Sequence, residues 1–175
     1  MSASRAVYVV SSAAPPVLRL AELLALLRAR GWSPCPILTP VAATWIDRGA
    51  LATAAGRPVR VEPRLPGEED PLPPADGLVA APLSFNTLNK WASGISDTLA
   101  LGVLHELMGE GVPIVAAPCV KAALRKHPSY STSRSVLAEC GVTFFDPEHT
   151  ATRAPDGTLT LDWQGLVDKL ATVAG

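Results

Sequence analysis

Residues 77–118 read GLVAAPLSFNTLNKWASGISDTLALGVLHELMGEGVPIVAAP, and this stretch decides the fold. It opens and closes on short uncharged apolar runs, 77–81 and 113–117, of the kind that form strands buried on both faces. Between them lie two segments with helical spacing, 84–92 and 98–109, with Gly94 separating them. Two buried strands joined through helices point to a parallel crossover.

The same alternation continues in both directions. Upstream, residues 6–10 are a β-prone run ended by SSAAPP. Residues 17–30 then place Leu20, Leu23, Leu24 and Leu27 on one helical face, and Gly31 stands where a C-terminal cap belongs. A second strand over 35–38 stops at Thr39-Pro40, and 41–46 suit a short helix. Downstream, 131–139 read as a helix closed by Gly141 and 142–145 as a strand. Asp156-Gly157 marks a tight turn, so 158–161 pair as a hairpin or edge strand, and 163–173 close the chain as an amphipathic helix. The pattern predicts an α/β fold: a three-layer, doubly wound, mostly parallel sheet of the Rossmann-like or flavodoxin-like sandwich type.

A chain of 175 residues that is 48% hydrophobic has enough apolar material for one domain, so 1–175 is read as a single unit. Residues 56–77 carry six prolines and several acids. They form a proline-rich excursion at the surface of that domain, since proline fixes φ and removes a donor. A net charge of -1 provides no field for nucleic acid or an anionic membrane. Cys35, Cys119 and Cys140 form no C-x-x-C pair and the three histidines no H-x-x-x-H, so neither a metal site nor a disulfide framework is expected. The short N-terminal apolar run fits neither a signal sequence nor a membrane span, which makes a cytoplasmic protein the expectation.

Ligands of such sheets bind beyond the carboxyl ends of the strands. Four loops follow from that rule. Ser11-Ser12-Ala13-Ala14 offers small residues and two hydroxyls at a helix start, suited to an anion or to simple capping. Thr39-Pro40 adds one hydroxyl, also an ordinary helix start. Pro82-Leu83-Ser84-Phe85-Asn86-Thr87 sets a hydroxyl, an amide and a second hydroxyl within four residues. That mixture of donors and acceptors suits a heterocycle with a polar tail, although Ser84 also suits a plain N-cap. The fourth loop begins at Pro118-Cys119.

This set of residues resembles the homo-oligomeric flavin-containing cysteine decarboxylases, the group of phosphopantothenoylcysteine decarboxylase and the lantibiotic decarboxylases. The flavin prenyltransferases are more distant relatives. The family pattern is met by Pro82, Ser84, Asn86, Thr87, Lys90, Gly94, Ile95 and Asp97. SSAA and LTPVAATWI stand where the family carries its Gly-Ser-x-Ala and Thr-Pro-x-Ala segments. The resemblance implies FMN, with FAD the alternative, and a homotrimer or higher assembly of trimers with flavin at a subunit interface. It implies that Ser11, Ser12, Ala13 and Thr39 hold the phosphate end. Ser84, Phe85, Asn86 and Thr87 line the flavin, as does the backbone around Pro118 and Cys119.

Two departures stand against decarboxylation. The family's His, seven residues before an Ala-Asp, is replaced by Glu68 ahead of Ala75-Asp76, in a solvated acid run with Glu69 and Asp70. The family's Pro-x-Met-Asn-x-x-Met-Trp motif becomes Pro118-Cys119-Val120-Lys121-Ala122-Ala123-Leu124-Arg125, with Lys126, His127 and Pro128 behind it. An amide clamp is thus exchanged for Lys121, Arg125 and Lys126, which suit an anionic ligand or a solvated helix face equally. Lys121 and His127 are the candidate catalytic residues, while Cys119 is expected to be an inert buried thiol. The resemblance implies a flavin-dependent oxidoreductase or decarboxylase-like enzyme with a small-molecule or peptide substrate, anionic or thiol-bearing. The alternatives are a non-catalytic flavin-binding protein or partner subunit, and a flavin prenyltransferase.

Overall fold

A computed structural model describes residues 4–145 and 151–175. Five strands, β1 (Arg5–Ser11), β2 (Trp32–Leu38), β3 (Gly77–Leu83), β4 (Ile114–Pro118) and β5 (Thr143–Phe144), form one sheet in the order β2-β1-β3-β4-β5. Every neighbouring pair is parallel. The fold is the expected doubly wound α/β sandwich, and its order of connection reverses between β1 and β3.

Alternation along the strands builds two cores. Val7 and Val9 of β1 face α1 (Leu20–Ala29), α3 (Arg48–Ala55) and α8 (Trp163–Val173), whose Leu23, Leu24, Leu27, Leu51 and Leu166 complete that layer. Tyr8 and Val10 face the other way, toward α4 (Phe85–Ala92), α5 (Leu99–Gly109) and α7 (Pro128–Glu139), with Leu88, Trp91, Leu104 and Leu137. Two short helices, α2 (Pro40–Ala43) and α6 (Ala122–Arg125), follow β2 and the end of β4. The turn at Asp156-Gly157 closes an antiparallel pair, β6 (Ala151–Arg153) with β7 (Leu159–Leu161), Gly157 taking a φ of 83°.

Several boundaries move. The helix expected over 17–30 begins as a 3-10 turn, Pro15–Arg19, before α1 proper, because two prolines open it. The strand expected from residue 35 starts at Trp32 and runs through Pro34 and Pro36, which an edge strand tolerates. The helix expected over 41–46 ends at Ala43, and α3, absent from the sequence reading, follows after an Asp47 cap. The end of the strand expected over 142–145 is Phe144.

The proline-rich stretch is a strap over one sheet edge. Arg60 bridges Ile37 of β2, with Arg60 N–H donating to the Pro36 carbonyl at 3.0 Å and Leu38 N–H to the Arg60 carbonyl at 2.9 Å. The strap therefore pairs with part of an edge that would otherwise be open. Tyr8 ties it down from below, its hydroxyl donating to the Pro73 carbonyl at 2.8 Å. Burial, followed by the negative charge of Asp70, pushes the Tyr8 phenol up to about 12. A raised folded pKa contributes stability that is complete below the unfolded value of 10 and is lost as the pH rises through about 12. Tyrosinate absorbance should therefore show Tyr8 ionising only near pH 12, and a Tyr8→Phe protein should lack that step. Ionisation of Tyr8 at pH 10 would mean the strap does not cover it.

Candidate functional site

The carboxyl ends of β1, β2, β3 and β4 are stitched together by backbone. Thr39 N–H donates to the Ser11 carbonyl at 3.0 Å, Ser12 N–H to the Pro82 carbonyl at 3.0 Å, and Cys119 N–H to the Leu83 carbonyl at 2.9 Å. All four strand-end loops thus occupy one edge of the molecule. Between the first three of them and the start of α5 opens a cavity of about 370 Å³ lined by Ala13, Thr39, Pro40, Val41, Ser84, Asn86, Thr87, Lys90, Thr98 and Leu101. That volume lies within the usual range for small-ligand sites.

Five residues expected to touch a cofactor meet here: Ala13, Thr39, Ser84, Asn86 and Thr87. Their polar groups are already shaped by the helix starts that carry them. Thr39 caps α2 by accepting from Ala42 N–H, and Ser84 caps α4 by accepting from Thr87 N–H at 3.3 Å. Ser84 also donates to the Thr87 hydroxyl at 3.1 Å. Thr98, capping α5, presents a third helix start to the same space. Asn86 stands exposed, with a side-chain amide that has no hydrogen-bond partner among the described residues.

Ser11 and Ser12 are placed differently from the expectation. Both are buried, and neither lines the cavity. The Ser11 hydroxyl donates to the Ala81 carbonyl at 2.6 Å. The Ser12 hydroxyl donates to the Pro82 carbonyl at 2.9 Å and accepts from Ser84 N–H at 2.7 Å. Their side chains therefore join the first loop to the third, leaving the cavity to Ala13. Phe85, Pro118 and Cys119 do not line it either. Phe85 turns its ring edge toward His127, with centroids 5.8 Å apart and planes at 78°.

Lys90 and Thr98 were missed as cavity-lining residues, although Lys90 stands in the quoted motif. Its ammonium pairs with Asp97 at 2.6 Å, which closes the turn through Gly94. The hydrogen bond from Lys90 holds the Asp97 carboxyl below the usual carboxylate range. The cation at the cavity wall is therefore largely neutralised.

The fourth loop lies beside the third. Cys119 is half-buried, and burial raises its thiol pKa against the opposing influence of Arg125, so it stays protonated at neutral pH. Lys121 precedes α6, while His127 caps α7, its Nδ1 accepting from Ser129 N–H at 3.1 Å. Lys121, Arg125, Lys126 and His127 are all exposed. Glu68 is bound into its own turn, accepting from Leu65 N–H at 2.9 Å, and Asp70 pairs with Arg64 at 3.5 Å. Neither acid lines the strand-end cavity. A larger cavity of about 700 Å³ lies under the strap, between Tyr8 and the Leu99, Val103, Glu106 and Leu107 face of α5. It shares no lining residue with the strand-end cavity. No metal-binding cluster of His, Cys, Asp or Glu occurs among the described residues.

Hydroxyls and helix starts gathered at the reversal point of a parallel sheet are the arrangement in which folds of this class bind nucleotide-type ligands. Comparison with known proteins supplies the family: residues 4–175 match the Flavoprotein family, and the chain belongs to it. The coenzyme A biosynthesis bifunctional protein CoaBC of Thermococcus kodakarensis is 30% identical over 105 residues, which cover 56% of this chain and 25% of that protein. The matched region is thus a quarter of that relative's length. Among solved structures, the FMN-dependent cysteine decarboxylase TvaF from thioviridamide biosynthesis superposes with a TM-score of 0.79 at 18% identity, covering 98% of this chain and 99% of that one. The FMN binding protein AtHal3 gives 0.78 at 19% identity over 97% and 96% of the two chains. Among the described residues no helix is long and apolar enough to cross a membrane.

Proposed function

We propose that this chain binds FMN at the strand-end cavity and acts as a flavin-dependent enzyme on a small anionic or thiol-bearing substrate, with FAD a lesser fit to a site this small. The observation that carries the reading is the convergence of Ala13, Thr39, Ser84, Asn86 and Thr87 on one cavity at the β1/β3 reversal. The donor set fits the group. Hydroxyls and N–H groups at three helix starts suit a phosphate and ribityl chain, the unpartnered Asn86 amide suits a ring edge, and Ala13 leaves room for both. The named relatives that bind or depend on FMN support the same choice.

When bound, FMN supplies two-electron redox chemistry that side chains lack. The chain itself binds, orients and shields. Asn86 would set the angle of the ring, and the loops holding Thr39 and Ser84 would close two sides against water. Lys121 would hold the substrate's anionic group at the mouth. His127, with Nδ1 engaged by Ser129, would present its other ring nitrogen to the substrate.

Standard cysteine decarboxylation is not the proposed reaction, because the family's His and Asn positions hold Glu68 and Lys121. A homotrimer or higher assembly, which would cover the exposed mouth, is proposed on the resemblance. The purified protein should be yellow and release FMN on denaturation, with mass analysis identifying it. It should produce no carbon dioxide from phosphopantothenoylcysteine or a peptide ending in cysteine. A protein that stays colourless with excess FMN overturns the binding site. Efficient decarboxylation overturns the reading of the two substituted positions.

A further inference from the structure

We infer that Lys90 is the counter-charge for the cofactor's phosphate, released from Asp97 when FMN binds, so that this pair makes the site select a phosphorylated flavin over riboflavin. That assignment rests on FMN occupying the strand-end cavity and adds what discriminates among flavins there.

Of the ten described residues that line the cavity, Lys90 alone carries a charge. A phosphate monoester brings about two negative charges at neutral pH. Without a cation in the wall, those charges would be left to neutral hydroxyls, backbone N–H groups and water. Two helices, the 8-residue α4 and the 11-residue α5, start at the cavity through Ser84 and Thr98. Their caps engage Thr87 N–H and Leu101 N–H, which leaves the earlier N–H groups of each first turn for an anion. Each helix start contributes only a partial positive charge, whereas an ammonium in the same wall contributes a full one.

The ion pair can be exchanged at small cost. Lys90 Nζ and Asp97 Oδ2 lie 2.6 Å apart, but the two side chains are 31% and 50% exposed. A pair this open to solvent contributes little to stability. Asp97 does not line the cavity, so losing Lys90 returns its carboxylate to water and not to a dry wall. The ammonium sits on a flexible four-carbon stem, which lets it turn from one anion to the other. The turn between the two residues is held without them. Ile95 N–H donates to the Lys90 carbonyl at 2.9 Å, Gly94 N–H to the Trp91 carbonyl at 3.2 Å, and Gly94 supplies the left-handed φ of 74°. Empty, the site has its cation cancelled by Asp97; filled, Asp97 competes with the phosphate for it. The two residues should therefore shift FMN affinity in opposite directions, which a purely structural ion pair would not do.

The test titrates FMN and, separately, riboflavin into the full chain freed of flavin, following the quenching of flavin fluorescence. The wild type should prefer FMN. Lys90→Gln should weaken FMN by roughly 5- to 30-fold, the worth of a charge-assisted contact reduced by solvent screening. Asp97→Asn should tighten FMN by about 2- to 5-fold, the scale of an exposed ion pair that no longer competes. Riboflavin affinity should stay within about twofold in both variants, since it carries no phosphate. Lys90→Arg keeps the charge and should keep most of the preference for FMN. Failure of either flavin to bind the wild type removes the FMN reading itself. Equal affinity of the wild type for the two flavins overturns the selection by Lys90. So does an Asp97→Asn protein that moves in the same direction as K90Q, or a loss in K90Q that riboflavin shares, because the pair would then only be fastening the turn.

Discussion

Replacing Ser12 with alanine is expected to destabilise the fold by about 1–3 kcal/mol and to reduce FMN affinity sharply, although Ser12 does not line the cavity. Its hydroxyl accepts from Ser84 N–H at 2.7 Å and donates to the Pro82 carbonyl at 2.9 Å. The Pro82 carbonyl keeps a second donor in Ser12 N–H, so that half of the loss is mild. The Ser84 N–H keeps nothing. An orphaned donor at the residue that caps α4 releases the start of the helix carrying Asn86 and Thr87. Ser11→Ala is the control, because Ser11 is equally buried but bonds the Ala81 carbonyl one strand position earlier, without touching Ser84. Urea unfolding should show both variants destabilised, whereas flavin fluorescence titration should show only S12A with weakened binding. Wild-type affinity in S12A would mean that the third loop holds its shape without the first.

That distinction marks how far the sequence could be read. The sheet was legible because 77–81 and 113–117 are uninterrupted apolar runs with two segments of helical spacing between them. The third loop was legible because Ser84, Asn86 and Thr87 sit in a short, chemically mixed block. The roles of Ser11 and Ser12 were not legible. A hydroxyl at a strand end has the same letter whether it faces a ligand or a carbonyl 70 positions away, and only the β1–β3 pairing decides which. The helix α3 was hidden for another reason. Its sequence RGALATAA buries only Leu51 and Ala55, too few apolar residues to display a period. Prolines 34 and 36 masked the first half of β2, since their tolerance depends on β2 being an edge, a fact of topology. The pairing of Lys90 with Asp97 crosses seven residues through the Gly94 turn, so spacing alone did not announce it.

Filling the cavity from Ala13 tests the site most directly. Ala13 is half-buried and lines the cavity together with Thr39 and Ser84, so a phenylalanine there would take up space assigned to the ligand. Overpacking of this kind costs about 1–3 kcal/mol. In the free protein the open cavity accepts the ring, so stability should change by only about 0.5 kcal/mol or less, the usual scale for surface substitutions. The cost falls on the complex, which corresponds to roughly 5- to 150-fold weaker FMN binding. Ala13→Phe should therefore be purified folded and pale, with an unfolding midpoint close to that of the wild-type apoprotein. Phe85→Ala provides the contrast, since Phe85 rests against His127 and should affect affinity less than Ala13→Phe does. Were A13F as yellow as the wild type, the flavin would have to lie elsewhere. The chamber of about 700 Å³ beneath the strap, lined by Tyr8 together with charged residues such as Arg60, Asp70 and Glu106, would then be the next space to test.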